Sequence, residues 1–190
     1  MSNDAPIDTP MVNTSYLTYG ENSKTEESKT ETFTYSIPIF KYTGYNKALA
    51  GAKFILSKDS NPTEGNALKF TQAGSNYSYN KNGNVTLTSY SDGKINIKGI
   101  QADTYYLKEI EAPNGYNLIR TPIKIVVTSD TDGKGVVKVD NDVVDQVNVL
   151  NNYGSLLPST GGMGTTLIYA IGCILVLSSG VVLFLKRRTK

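Results

Sequence analysis

The chain has 190 residues, with 19 basic against 17 acidic side chains and a net charge near +2. That size suits one or two small domains rather than a large enzyme, and the even balance argues against a nucleic-acid binder, whose Lys and Arg gather on one face. There is no histidine, the commonest general base, and the single cysteine, Cys173, leaves nothing before it for a disulfide, a zinc site or cysteine catalysis.

Residues 1–32 read as the end of a preceding domain plus a polar linker. "NTSYLTYG" alternates weakly, as a last strand does, and "ENSKTEESKTET" is charged and uniformly polar. From 33 to 153 the pattern changes to short alternating runs: "FTYSIPIFKYT", "AKFILSK", "LKFTQA", "YSYN", "NVTLTSY", "KINIKGI", "TYYLKEIEA", "YNLIRTPIKIVVTS", "GVVKVD" and "QVNVLNN". Turn residues separate them, as in "DSNPTEGN", "KNGN", "SDGK", "APNG", "SDTDGKG" and "DNDVVD". This spacing predicts an all-β domain, an immunoglobulin-like antiparallel sandwich. "ALAGAKF" allows a short helical turn, which Gly51 keeps from growing. Asp130 and Asp132 lack the further spaced oxygens of a calcium loop, so "SDTDGKG" is a hairpin turn, and no metal or cofactor site is predicted.

Residues 154–164 are an extended, Gly-rich segment. Residues 165–185 are an uncharged apolar run that spans ~30 Å as a helix, enough for one transmembrane crossing. The basic tail, 186–190, then lies in the cytoplasm and everything before the run outside the cell. The N-terminus has no apolar export stretch, so the chain is expected to be the C-terminal part of a longer exported protein.

Three strands carry a polar residue in phase with their apolar stripe. Lys41 continues the row of Ile37 and Ile39, Glu109 that of Tyr105 and Leu107, and Asn151 that of Val147 and Val149. A lone buried Lys or Glu is costly unless paired, so the three are expected to meet. Burial raises a carboxyl pKa and lowers an amine pKa, and a neutral lysine is a nucleophile. A protonated Glu109 could polarise the asparagine carbonyl and shuttle the amine proton to departing ammonia, leaving a Lys–Asn isopeptide bond.

"YYLKEIEAPNGYNLI" resembles the E-box of Gram-positive pilin domains of the collagen-adhesin B type. "IPIFKYTGYNKALAGAKFIL" resembles their first strand with its bond-forming lysine, and "VNVLNNYGSLLPSTGG" their last strand running into a sorting signal. The resemblance covers roughly residues 35–190. It implies that Lys41 is the amine, Glu109 the catalytic acid and Asn151 the amide partner. Asn152 is the runner-up for that last role, although strand phase puts it on the opposite face. Lys47, in a turn, and Lys53, out of phase with its strand, are weaker candidates for the amine. The segment Leu157, Pro158, Ser159, Thr160, Gly161 matches the sortase signal of the same family. The family implies cleavage between Thr160 and Gly161 and transfer of the Thr160 carbonyl to an amine on another pilin subunit or on peptidoglycan. The chain is then a sortase substrate rather than an enzyme, held in the plasma membrane only as a precursor and in the cell wall or pilus afterwards. The family's acceptor-lysine motif, of "YPK" type, does not occur in this sequence. A competing reading is the stalk domain of a wall-anchored, ligand-binding adhesin.

Overall fold

In the computed structural model of the chain, residues 5–154 are described. The predicted sorting signal at Leu157–Gly161, the membrane helix and the basic tail lie outside them. The strands are β1 Met11–Ser15, β2 Thr18–Tyr19, β3 Ser23–Lys24, β4 Ser28–Thr32, β5 Tyr35–Thr43, β6 Lys47–Ala48, β7 Lys53–Ser57 and β8 Phe70–Ala73. They continue with β9 Asn76–Tyr79, β10 Leu87–Thr88, β11 Lys94–Ile100, β12 Asp103–Glu111, β13 Ile123–Ser129, β14 Gly135–Val139, β15 Asp142–Val143 and β16 Val147–Leu150.

Two six-stranded sheets form the sandwich. One runs β10-β7-β12-β13-β14-β15; the other runs β16-β5-β11-β9-β8, with β6 paired to β5. Alternation decides the faces. In β5 every second residue, Tyr35, Ile37, Ile39, Lys41 and Thr43, is buried. The core lies between the sheets: Ile37, Ile39, Ile95, Ile97, Val147 and Val149 from one meet Phe54, Leu56, Tyr105, Leu107, Ile125 and Val127 from the other. All of these are essentially withdrawn from water, and that burial is the main source of stability.

Most ladders are antiparallel, but β16 pairs with β5 in parallel, as does β9 with β11. The parallel β16–β5 pair joins the last strand of the domain to its first. β16 is an edge strand, with β5 as its one neighbour.

The sequence reading of residues 21–32 as a linker is corrected. β1 and β4 pair antiparallel from Met11↔Thr32 to Ser15↔Ser28, and β2 pairs with β3 at the tip. Polar strands hold this hairpin by main-chain hydrogen bonds, and nearly all its side chains are exposed. The segment before it is tied to the sandwich: Thr34 Oγ1 donates to Pro6 O at 2.6 Å, and Gly135 N donates to Asp8 Oδ1 at 2.9 Å. The helical turn allowed at "ALAGAKF" falls instead just upstream, as a 3-10 turn at Gly44–Asn46. Asp130 builds the "SDTDGKG" hairpin, its Oδ1 accepting from Asp132 N at 2.9 Å and Lys134 N at 2.8 Å.

Candidate functional site

Lys41, Glu109 and Asn151 meet inside the sandwich. They are 0%, 3% and 1% exposed, the most unusual polar contents of this core. Lys41 and Asn151 belong to neighbouring strands of one sheet. The β5–β16 register pairs Lys41 with Val149, and Asn151 N donates to Tyr42 O at 2.9 Å, which extends the ladder past β16. Glu109 reaches in from the facing sheet. It is the last inward residue of β12, paired with Phe54, just before the register slips between Glu109 and Glu111.

Lys41 Nζ donates to Asn151 Oδ1, and also to Val149 O at 3.2 Å. It lies 5.9 Å from the centre of the Phe54 ring. Asn151 Nδ2 donates to Glu109 Oε1 at 2.9 Å, and Nζ is 3.7 Å from that same oxygen. The other carboxylate oxygen, Oε2, accepts from Ile119 N at 2.7 Å. Burial pulls the Lys41 ammonium down from 10.5 to about 8, against the nearby Glu109 carboxylate, which holds it up. A substantial fraction of the amine is therefore unprotonated at mildly alkaline pH.

This arrangement differs from the sequence expectation in one chemical detail. Glu109 faces the amide nitrogen of Asn151, not its carbonyl oxygen, which Lys41 occupies. The reason is steric origin: the carboxylate arrives from the opposite sheet, pinned by the Ile119 amide, whereas the lysine lies alongside. One oxygen, Oε1, thus faces both a potential nucleophile and a potential leaving nitrogen. That is the geometry of a proton relay.

The weaker candidates lie elsewhere. Asn152 and Lys47 are exposed. Lys53 forms a surface ion pair with Glu111 at 2.8 Å.

Sequence reasoning missed several supports of the site. Gly93, at φ +74°, lets two backbones touch: Lys41 N donates to Gly93 O at 2.7 Å, and a Cβ on Gly93 would lie 2.4 Å from Lys41 O. The "APNGY" loop after Glu109 closes over the exit of the last strand. Asn117 N donates to Asn152 O at 3.0 Å, and the Tyr116 and Tyr153 rings stack with centroids 4.6 Å apart. Thr43 is also buried on the face of Lys41; the continuing alternation of β5 was the signal that could have found it.

A scan against family models matches residues 36–143 to the SpaA prealbumin-like fold domain. No curated protein matches. Among solved structures, the chain is similar to the 35 kDa C-terminal fragment of the major pilin GBS80 of Streptococcus agalactiae, with 23% identity, TM-score 0.53, 79% of this chain and 56% of that one covered. It is also similar to the group B streptococcus pilus 2b backbone protein, with 28% identity, TM-score 0.48 and coverage of 78% and 51%. The minor pilin GBS52 of Streptococcus agalactiae gives 23% identity, TM-score 0.47 and coverage of 66% and 48%. The chain thus spans about half the length of these solved chains. The likeness to GBS80 bears on the fold, an all-β sandwich, and the matched family model covers more than half of the sequence. On that match, the chain belongs to the SpaA family of prealbumin-like fold domains.

Proposed function

We propose that this chain is a structural pilin subunit of a Gram-positive surface, locked by an autocatalytic isopeptide bond between Lys41 and Asn151. The observation that carries the proposal is the buried Lys41–Glu109–Asn151 cluster, in which a nucleophile, a relay and a leaving group share one carboxylate oxygen. The unprotonated Lys41 Nζ attacks Asn151 Cγ. Glu109 Oε1 takes a proton from Nζ and delivers it to Nδ2. The Nζ–Cγ bond forms, the Cγ–Nδ2 bond breaks, and one ammonia leaves. The site acts once and does not turn over.

The bond suits a fibre. Lys41 and Asn151 are 110 positions apart in sequence, yet they sit on adjacent parallel strands. Tension applied at the two ends of the domain passes from Asn151 to Lys41 and out along β5. Residues 42–150 are bypassed, so their hydrogen-bonded ladders are not loaded. The family assignment and the resemblance of "LPSTG" to a sorting signal support the rest of the reading. A sortase cleaves between Thr160 and Gly161 and joins Thr160 to another pilin subunit or to peptidoglycan, which places the mature protein at the cell surface.

Intact mass of the full chain, purified in detergent from a host without sortase, tests the bond. The wild type is expected one ammonia lighter than its sequence, and Glu109→Ala to restore the full mass. A wild type of unreduced mass sinks the proposal. Sorting is tested separately in a host carrying the matching sortase. Thr160→Ala is expected to abolish covalent attachment to the wall, and attachment that persists overturns that part.

A further inference from the structure

Thr43 is the next inward residue after Lys41 on β5 and is 2% exposed. Its hydroxyl is, among the described residues, the one buried side-chain polar atom with no hydrogen-bond partner. A buried hydroxyl left this way carries the desolvation penalty of a bond not made. Valine has nearly the same shape and would remove that penalty, so the fold gains nothing evident from the hydroxyl.

Its position explains more. β16 and β5 run in parallel with Val149↔Lys41 and Leu150↔Tyr42 in register, and the Asn151 N to Tyr42 O bond of 2.9 Å carries the ladder one step on. Asn151 is therefore alongside Thr43, both side chains on the inward face. Neighbouring strands lie about 4.8 Å apart, a spacing that two short side chains bridge through a small hydrogen-bonding molecule. The Asn151 carboxamide is held by Lys41 on its oxygen and by Glu109 on its nitrogen, and the next step of the β16–β5 register sets it level with Thr43, whose hydroxyl is unpartnered.

We infer that Thr43 Oγ1 receives the ammonia released from Asn151, accepting one of its N–H groups as the Cγ–Nδ2 bond breaks. This inference rests on the isopeptide reading above. Glu109 supplies the third proton of the leaving ammonia, but its two oxygens are already committed to Ile119 N and to the relay. A separate acceptor lets the product move off Cγ without pulling the carboxylate from its place. Atoms balance as before: the amine and the carboxamide become one secondary amide and one ammonia.

The test follows bond formation in time. The full chain is made by cell-free translation with detergent micelles, translation is stopped, and intact mass is sampled. Thr43→Val is expected to form the bond about five- to tenfold more slowly, the loss of one hydrogen bond in the bond-breaking step. Thr43→Ser, which keeps the hydroxyl and loses the methyl, is expected to react near the wild-type rate. In the unlinked Glu109→Ala background, Thr43→Val is expected to melt at or above its parent. Wild-type speed for Thr43→Val overturns the inference. So does a serine variant as slow as the valine one, or a valine variant that lowers the melting temperature, since either assigns Thr43 to packing. If the wild type itself never loses ammonia, the isopeptide reading fails instead, and the two failures are told apart.

Discussion

Replacing Glu109 by glutamine isolates the cross-link from the packing around it. Glutamine keeps the volume and one acceptor oxygen but cannot carry a proton from Lys41 to Asn151. Glu109 now accepts from Ile119 N and from Asn151 Nδ2, and a glutamine oxygen serves only one of them well. The bond closes a loop of 110 positions. Loop entropy for that length is about 4.8 kcal/mol at 25 °C, and one lost hydrogen bond adds about 1 kcal/mol. For a chain of this size each kcal/mol moves Tm by about 2–4 °C, so Glu109→Gln is expected to melt roughly 10–20 °C below the wild type. The assay pairs intact mass with thermal unfolding of the same full-length preparations, so that linked and unlinked protein are identified before melting. A glutamine variant that carries the full mass of the sequence yet melts within about 3 °C of the wild type refutes the loop-entropy argument. One that still loses ammonia refutes the relay.

The Lys41 amine, near 8, gives a pH dependence with a definite sign. Bond formation is expected to quicken as pH rises to about 8 and to level off above it, measured by the mass time course; a rate independent of pH between 6 and 9 is incompatible with an amine titrating near 8. In the unlinked Asn151→Ala chain, the unfolded state holds the Lys41 proton up to 10.5 and the folded state only to about 8. Unfolded chains therefore bind more protons in that window, and stability is expected to climb with pH across it, read from urea midpoints; a flat or falling curve contradicts the assignment. Gly93→Ala forces a Cβ to 2.4 Å from Lys41 O at φ +74°. It is expected to cost about 1–3 kcal/mol in the Glu109→Ala background and to slow bond formation in the otherwise native chain, and a neutral urea midpoint tells against the close approach. Tyr116→Ala removes the stack on Tyr153 and about 0.5–1.5 kcal/mol, and is expected to speed hydrogen exchange at Asn117 N, which donates to Asn152 O; unchanged protection there contradicts the clamp.

The site was legible where period two met the wrong residue type. "IPIFK", "YYLKE" and "VNVLN" each extend an apolar row by one polar side chain, and all three of those side chains are buried. Which strands adjoin was not legible from that pattern. A parallel pair between the first and last strands of the domain, 110 positions apart, and a carboxylate from the facing sheet, 42 positions from Asn151, are contacts that local alternation does not encode. The direction of Glu109 was lost for the same reason, since it is fixed by a backbone N–H at Ile119, ten residues on, presented by a loop. Residues 21–32, the returning half of the hairpin, failed differently. Strand β4, SKTET, is polar on both faces, so no stripe distinguishes it from a linker; register and main-chain bonds alone define it. Thr43 falls between the two cases. Its row was already drawn through Ile37, Ile39 and Lys41, and one further step of two reaches it. A threonine passes unremarked in a strand because its β-branched shape suits one. Only the buried, unpartnered hydroxyl, a property of the tertiary structure, sets it beside Lys41 as a second polar intruder in the same stripe.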